Sequence, residues 1–393
     1  MKSNLENILL PSLKKAKPKQ DKFAQVSEIE HRVEFLESNL SGDFLDEAKS
    51  VFLIQKKYEL TQPEKEVEEN ILKYAKSDPI GWENLLFIDT ETTGLSRGTG
   101  TYVFLVGIGF WQQDCFCEEI YFLADLSGEK LMMDTILQRI GQFKTFVSYN
   151  GKSFDIPLLQ TRFIMNEIDF DLKQIPNLDL LHLTRRFLRN RFDSFSLQNM
   201  EKYLLGIKRN MEHDIPGSEI PKVYLDFLSD IFSDKIPAIV NHNQQDILSL
   251  TVLLDKLNEF LILAMKGENI PADYTGIGRF LEDMENLAAA ENVYKSCPFE
   301  ETSCRKNLSY ILKKNCRIEE AIELWKEAAK ANEVYAMVEL AMDAEHARGK
   351  FAVALGWCEK AIAEVSSGFW VDQELLTQLV HRKSRLLSKL QNS

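Results

Sequence analysis

The chain is 393 residues long, 45% hydrophobic and 27% charged, a composition that supports two or three globular domains and excludes a low-complexity protein. A net charge of −13 excludes a protein that coats nucleic acid through its overall field, while leaving room for one that acts through a local basic surface. No apolar run approaches the roughly 18 residues of a membrane span, and six cysteines without a regular framework read as reduced thiols of a cytoplasmic protein.

The first 22 residues hold six lysines against two acids, and residues 1–25 read as a flexible basic arm. Its short apolar patch precedes the lysines, the wrong order for a secretory signal. VFLIQKKYEL then resembles a strand and EKEVEENILKYAK a helix; with the arm they make a leading segment over 1–78. From 79 to 262 the punctuation is α/β. LLFIDT, TYVFLVGIGFW and EEIYFLA read as strands, KLMMDTILQRIGQF as an amphipathic helix and TFVSYN as a further strand. SFDIPLLQTRFIMNE starts another helix, with Ser153 as its expected cap. That order predicts a mixed sheet flanked by helices. Cys115 and Cys117 form a lone C-x-C, read as incidental strand cysteines rather than a metal pair.

Further on, HLTRRFLRNRF packs Arg185, Arg186, Arg189 and Arg191 into seven residues, which suits a solvated helix face or a local phosphate-binding surface equally well. Past KGENIPADYTGIG the character changes. Residues 275–393 are helical throughout and repeat: AENVYKSC from 290, AIELWKEA from 321 and ALGWCEKA from 354 align at offsets of 31 and 33. Small residues alternating with aromatics at that period predict tetratricopeptide-like helix pairs, which stack because none buries its face alone. A plain helical bundle is the simpler alternative.

The chemistry concentrates where apolar elements end. In LLFIDTETTGL, Asp89 and Glu91 stand two apart on a strand, so both face one side of the sheet. Two carboxylates there repel unless something neutralises them, and oxygen ligands suit Mg²⁺ or Mn²⁺. Gly94 permits close approach of backbone to a ligand, and the Thr92 and Thr93 hydroxyls can donate to phosphate or sugar oxygens. SYNGKSFDIPLL supplies Asn150, Lys152 and Asp155 after a second strand, with Tyr149 more in keeping with packing than with stacking on a base. NHNQQDILSL brings His242 and Asp246 onto one helix face, a turn apart. Arg209 suits a phosphate or a pairing with Asp214, and Asp179 reads as a structural cap.

IDTETTGL, YNGKSFD and HNQQD together resemble the three sequence blocks of the DEDD superfamily of 3′→5′ exonucleases, with their ribonuclease-H-like fold. With KRNMEHDIPGSEIPKVY between them, they resemble more closely the bacterial YprB-like family, which joins such a domain to tetratricopeptide-like repeats. The resemblance implies an α/β architecture: a ribonuclease-H-like mixed sheet over 79–262, then all-α repeats over 275–393. It also implies Asp89, Glu91, Asp155 and Asp246 as ligands of two Mg²⁺ or Mn²⁺ ions, with Asp89 bridging both. The backbone from Thr92 through Thr93 and Gly94 to Leu95 is then expected to hold the terminal nucleotide of DNA or RNA. Asn150 joins the nucleic-acid-binding set, and Lys152 and the arginine cluster are candidates for phosphates further along.

One departure concerns the base. The histidine subgroup places it five residues before the last aspartate, where Asn241 stands here; the tyrosine subgroup places its aromatic four before, where His242 stands. An imidazole titrates near ~6.5 and can take a water proton at neutral pH, which favours His242 as base over a purely positioning role. The alternatives to an exonuclease are a two-metal endonuclease of the same fold and a non-catalytic scaffold that binds a protein partner through its repeats. Acids at all four positions count against the scaffold.

Overall fold

A computed structural model describes residues 22–94, 98–209, 215–298, 301–367, 370 and 372–391, with side chains from 29 onward. Residues 1–21 of the basic arm, Leu95 and Asp214 lie outside the described residues. The chain divides into two compact units, one of Met1–His182 with Phe195–Asp255, the other of Leu183–Ser194 with Lys256–Ser393.

In the first unit, seven strands form one sheet: β1 (Asp43–Phe44), β2 (Val51–Tyr58), β3 (Leu85–Thr92), β4 (Val103–Gln112), β5 (Cys115–Leu123), β6 (Thr145–Ser148) and β7 (Asn177–Asp179). Their spatial order is β1-β2-β5-β4-β3-β6-β7. β3, β4 and β5 pair antiparallel, while β6 runs parallel to β3 and β7 parallel to β6. This is the mixed sheet the sequence predicts. The leading segment does not stand apart: β2 pairs along its whole length with β5 and extends the same sheet.

Before, between and after these strands the chain forms α1 (Lys22–Asn39), α2 (Glu69–Ala75), α3 (Glu129–Ile140), α4 (Asp155–Met165), α5 (Leu180–Leu188), α6 (Leu197–Met200), α7 (Ile220–Leu228) and α8 (Lys235–Met265). Every residue of β4 from Val103 to Trp111 is buried, as a central strand covered on both faces requires. On one face Phe104 stacks on Tyr224 of α7, with ring centroids 3.8 Å apart. The Tyr224 hydroxyl donates to the Leu123 carbonyl at 2.9 Å. Arg162 of α4 is buried against Glu129 of α3, with Nη2 2.6 Å from Oε2. On the other face α8 lies very close to β4, and two glycines allow it. A Cβ on Gly109 would stand 2.5 Å from Ile247, and one on Gly107 would stand 1.8 Å from the Asn243 amide oxygen. Because β3 pairs Asp89 with Gly107, Asp89 faces α8 as well.

The helix of the second sequence block starts at Asp155, and its cap position is Phe154, which makes no side-chain cap hydrogen bond. Ser153 therefore does not cap it. Asp179 of β7 instead holds the loop that precedes the helix: fully buried, it accepts from the backbone N–H of Asn150 at 2.8 Å and Lys152 at 3.2 Å, as well as from that of Leu181 at 3.1 Å. Asn150 can then hold its left-handed conformation, φ 64°, one of the few that asparagine tolerates. Cys115 and Cys117 are free thiols on β5.

The second unit contains α9 (Tyr274–Asp283), α10 (Leu287–Ser296), α11 (Thr302–Lys314), α12 (Ile318–Lys330), α13 (Val334–Met342), α14 (Phe351–Ser367) and α15 (Gln373–Gln391). The three repeat alanines, Ala290, Ala321 and Ala354, are all wholly buried, so helices approach closely at the same point of each repeat. Trp325 fills the space beside the second and is likewise wholly buried. Buried Glu345 takes Arg382, Arg385 and Lys389, joining α15 to the turn after α13. The arginine run does not form one free basic surface. Arg186 pairs with Asp283 of α9, and Arg191 donates to the Ala272 carbonyl at 3.2 Å, which leaves Arg185 and Arg189 exposed. Among the described residues no helix is long and apolar enough to cross a membrane.

Candidate active site

The end of β3 delivers Asp89 and Glu91, the start of α4 delivers Asp155, and α8 delivers His242 and Asp246. Three segments distant in sequence thereby converge. Burial first, then the charges of Asp246, Asp155 and Glu91, pushes the Asp89 carboxyl well above the usual carboxylate range. Glu91 is raised by burial and by Asp246 and Asp155. Burial pushes Asp155 up to about 6 and raises Asp246 despite nearby His242 and Arg209. Like charges crowded into a poorly solvated site cannot all ionise without a cation.

Neutral donors hold the far side of the pocket. Asp89 accepts the Asn243 amide at 2.7 Å, and Asp155 accepts the Thr90 hydroxyl at 2.6 Å. The near side is held by a guanidinium. Arg209 donates to both oxygens of Glu201, at 2.5 and 2.7 Å, and to Asp246. Glu201, almost wholly buried, also accepts the Ser249 hydroxyl at 2.6 Å. Arg209 Nη1 stands 3.1 Å from Nδ1 of His242, whose Nε2 lies 3.8 Å from Asp246. A guanidinium has no acceptor, so Nδ1 accepts here and the ring proton sits on Nε2.

The residues expected to hold a strand are placed unevenly. The Thr92 hydroxyl donates to the Gly94 carbonyl at 2.8 Å, so its proton is spent on the turn. Thr93 accepts from the Tyr102 N–H at 2.9 Å and keeps its own proton. A Cβ on Gly94 would meet nothing nearer than Thr101 at 4.0 Å, so packing within the chain does not demand glycine there. Lys152 places its ammonium 5.7 Å from the centroid of the Tyr74 ring. The Tyr149 hydroxyl donates to the Phe195 carbonyl at 2.7 Å, which anchors the ring as a packed residue.

Asn243, Glu201 and Thr90 were not singled out in the sequence. Asn243 stands inside NHNQQD, and its signal lies elsewhere: the alternate glycines of LVGIG mark a strand approached closely by another element. Gly107→Ala is expected to push the Asn243 amide off Asp89, at a cost of about 1–3 kcal/mol as overpacking. Urea unfolding checks this.

The donor set fits hard divalent ions. Four carboxylates meet in one place, and two of them have only neutral donors as partners. The acids do not close around a single ion: among the described residues, the one trio of ligand-type atoms lying within 4.8 Å of one another is elsewhere, at Cys297, Glu301 and Cys304.

A mixed sheet in this order, with acids at the end of its first central strand and on the helix lying across it, defines a ribonuclease-H-like domain. Residues 86–258 match the model of the RNase_H superfamily. The chain is similar to the uncharacterized protein YprB of Bacillus subtilis (strain 168), at 29% identity over 294 residues that cover 72% of this chain and 70% of that protein. It also aligns with the structure of the family B DNA polymerase of the archaeon Pyrobaculum calidifontis, at a TM-score of 0.36 and 14% identity. That alignment covers 67% of this chain and 35% of the polymerase, so it spans about a third of that protein's length.

Proposed function

We propose that the chain is a metal-dependent nuclease that removes nucleotides from the 3′ end of DNA or RNA. The observation that carries the reading is the convergence of Asp89, Glu91, Asp155 and Asp246 from three segments into one place, where burial raises the proton affinity of all four and the charges of Asp155 and Asp246 raise that of Asp89 and Glu91 further. Asp89, Glu91, Asp155 and Asp246 are the residues that would hold two Mg²⁺ or Mn²⁺ ions. When bound, such ions acidify water and neutralise charge on phosphate oxygens. Thr93, Gly94, Leu95 and Asn150 border the pocket in sequence and are assigned to the terminal nucleotide, with Lys152 as a phosphate contact further along.

His242 orients rather than abstracts in this arrangement. Its Nδ1 lone pair is engaged by Arg209, and its remaining nitrogen carries the proton, so it offers a donor to the reacting water or phosphate. Accepting a water proton would require Arg209 to release Nδ1. This reading differs from the preference for a base drawn from the ordinary titration range of an imidazole. Replacement of His242 by Tyr is expected to keep measurable turnover, because a phenol also donates, while His242→Ala loses it. Equal losses in both would instead point to proton abstraction.

The helical unit is assigned as tetratricopeptide-like, supported by helix starts at 287, 318 and 351 and by the three buried alanines, and it is the surface for a protein partner. Six free thiols suit a reducing cytoplasm. The test of the whole reading is incubation of 3′-labelled and 5′-labelled single strands of DNA and of RNA with Mn²⁺, Mg²⁺ or EDTA. Stepwise shortening from the 3′ end that EDTA abolishes is the expected result. Internal cuts would make the chain an endonuclease of the same fold, and no turnover with any metal would leave a binding scaffold.

A further inference from the structure

Several buried or half-buried acids in the helical unit have cationic partners. Glu291 meets Arg317 and Lys295, Glu339 meets Lys313, Glu333 meets Arg305, and Glu345 meets three cations. Glu282 takes the Tyr294 hydroxyl at 2.5 Å. Half-buried Glu301 is different. Among the described residues no lysine, arginine or histidine pairs with it, and its Oε2 faces two thiols, Cys297 at 3.3 Å and Cys304 at 3.6 Å.

We propose that Cys297, Glu301 and Cys304 form a binding site for a thiophilic divalent cation of the zinc class. The ligand atoms lie within 4.8 Å of one another. A tetrahedral ion with bonds of roughly 2.3 Å to sulfur and 2.0–2.2 Å to oxygen sets its sulfur and oxygen ligands about 3.5 Å apart. The two sulfur–oxygen separations, 3.3 and 3.6 Å, bracket that value, so little rearrangement is needed. Cys304 lies in the first turn of α11, a 13-residue helix, so a metal-bound thiolate there would sit at the helix's positive end. The Thr275 hydroxyl, 3.3 Å from the Cys304 sulfur, is placed to donate to that thiolate. Cys297 is only half-buried, which leaves solvent to complete the coordination.

Binding exchanges the two thiol protons, released to solvent, for one cation, so the carboxylate changes from a lone acceptor of S–H groups into a metal ligand. The result is a clip joining the residue after α10 to the first turn of α11. It is independent of the carboxylate pocket, which contains no sulfur and favours hard ions.

The test uses the full chain, reduced and stripped of metal, with Zn²⁺ or Co²⁺ alone as probe. Zn²⁺ is expected to slow alkylation of Cys297 and Cys304 by roughly tenfold or more, and to leave exposed Cys316 unchanged. Co²⁺ should give a thiolate-to-metal charge-transfer band that Cys297→Ser and Cys304→Ser each remove. Glu301→Gln should weaken uptake by roughly tenfold to a hundredfold, and it keeps the test intact should Cys304→Ser fail to fold. Equal alkylation rates with and without Zn²⁺, protection of Cys316 to the same degree, or a Cys297–Cys304 disulfide that Zn²⁺ does not prevent would each overturn the site.

Discussion

If the chain acts as proposed, Asp89→Asn is expected to reduce turnover by at least about a thousandfold, equivalent to roughly 4 kcal/mol of transition-state stabilisation. The substitution leaves the shape of β3 unchanged and keeps an oxygen for the Asn243 amide, so the loss belongs to charge rather than packing. Of the four acids, Asp89 is the one raised by the charges of all three others, so its neutralisation is expected to disturb the common pocket. Single-turnover rates on a 3′-labelled strand check the size of the effect. A loss below tenfold would mean that Asp89 is only a structural acid.

The second large effect is on stability. Asp155 is buried, and its carboxyl titrates at about 6 in the folded chain against an ordinary value of 3.8, so folding favours its protonated form. The unfolded chain loses that proton first. Stability is therefore lost as pH rises from about 4 through 6, by on the order of 3 kcal/mol for this group alone. Asp89, Glu91 and Asp246 move in the same direction. The metal-stripped chain should accordingly melt at a higher temperature at pH 5 than at pH 8, and saturating Mn²⁺ should reverse the order by stabilising the ionised pocket. Glu118, raised by burial to about 7 on β5, adds to the slope without belonging to the pocket. The Glu118→Gln chain isolates the pocket's part. In Asp155→Asn the apo slope shrinks and the response to Mn²⁺ falls with it, whereas a metal-stripped wild-type chain that grows steadily more stable toward pH 8 would contradict the assignment.

The sequence carried the elements well because their hydrophobic patterning is local. LLFIDT, TYVFLVGIGFW and TFVSYN end where the strands β3, β4 and β6 end to within a few residues, and Asp89 and Glu91 sit at the end of the first. The spacing of His242 and Asp246 needed only a helix, and a helix is what carries them. What stayed hidden depends on contacts between distant segments. Nothing near Gly107 says that Asn243 will lie against it. Likewise, Arg209 meets His242 and Asp246 only because α8 brings them beside it. Ser153 had the local chemistry of a cap, yet Asp179, arriving from β7, supplied the acceptors for that loop. The arginine run shows the same limit: charge spacing alone does not reveal that Arg186 and Arg191 are taken up by Asp283 and by the Ala272 carbonyl.

Anomalous diffraction at the manganese edge, from crystals of the full chain grown with Mn²⁺, puts the central claim to its most direct trial. Strong peaks between Asp89, Glu91, Asp155 and Asp246, absent in Asp89→Asn, are the result expected. A fully ordered pocket in which those four carboxylates bind no manganese would contradict it.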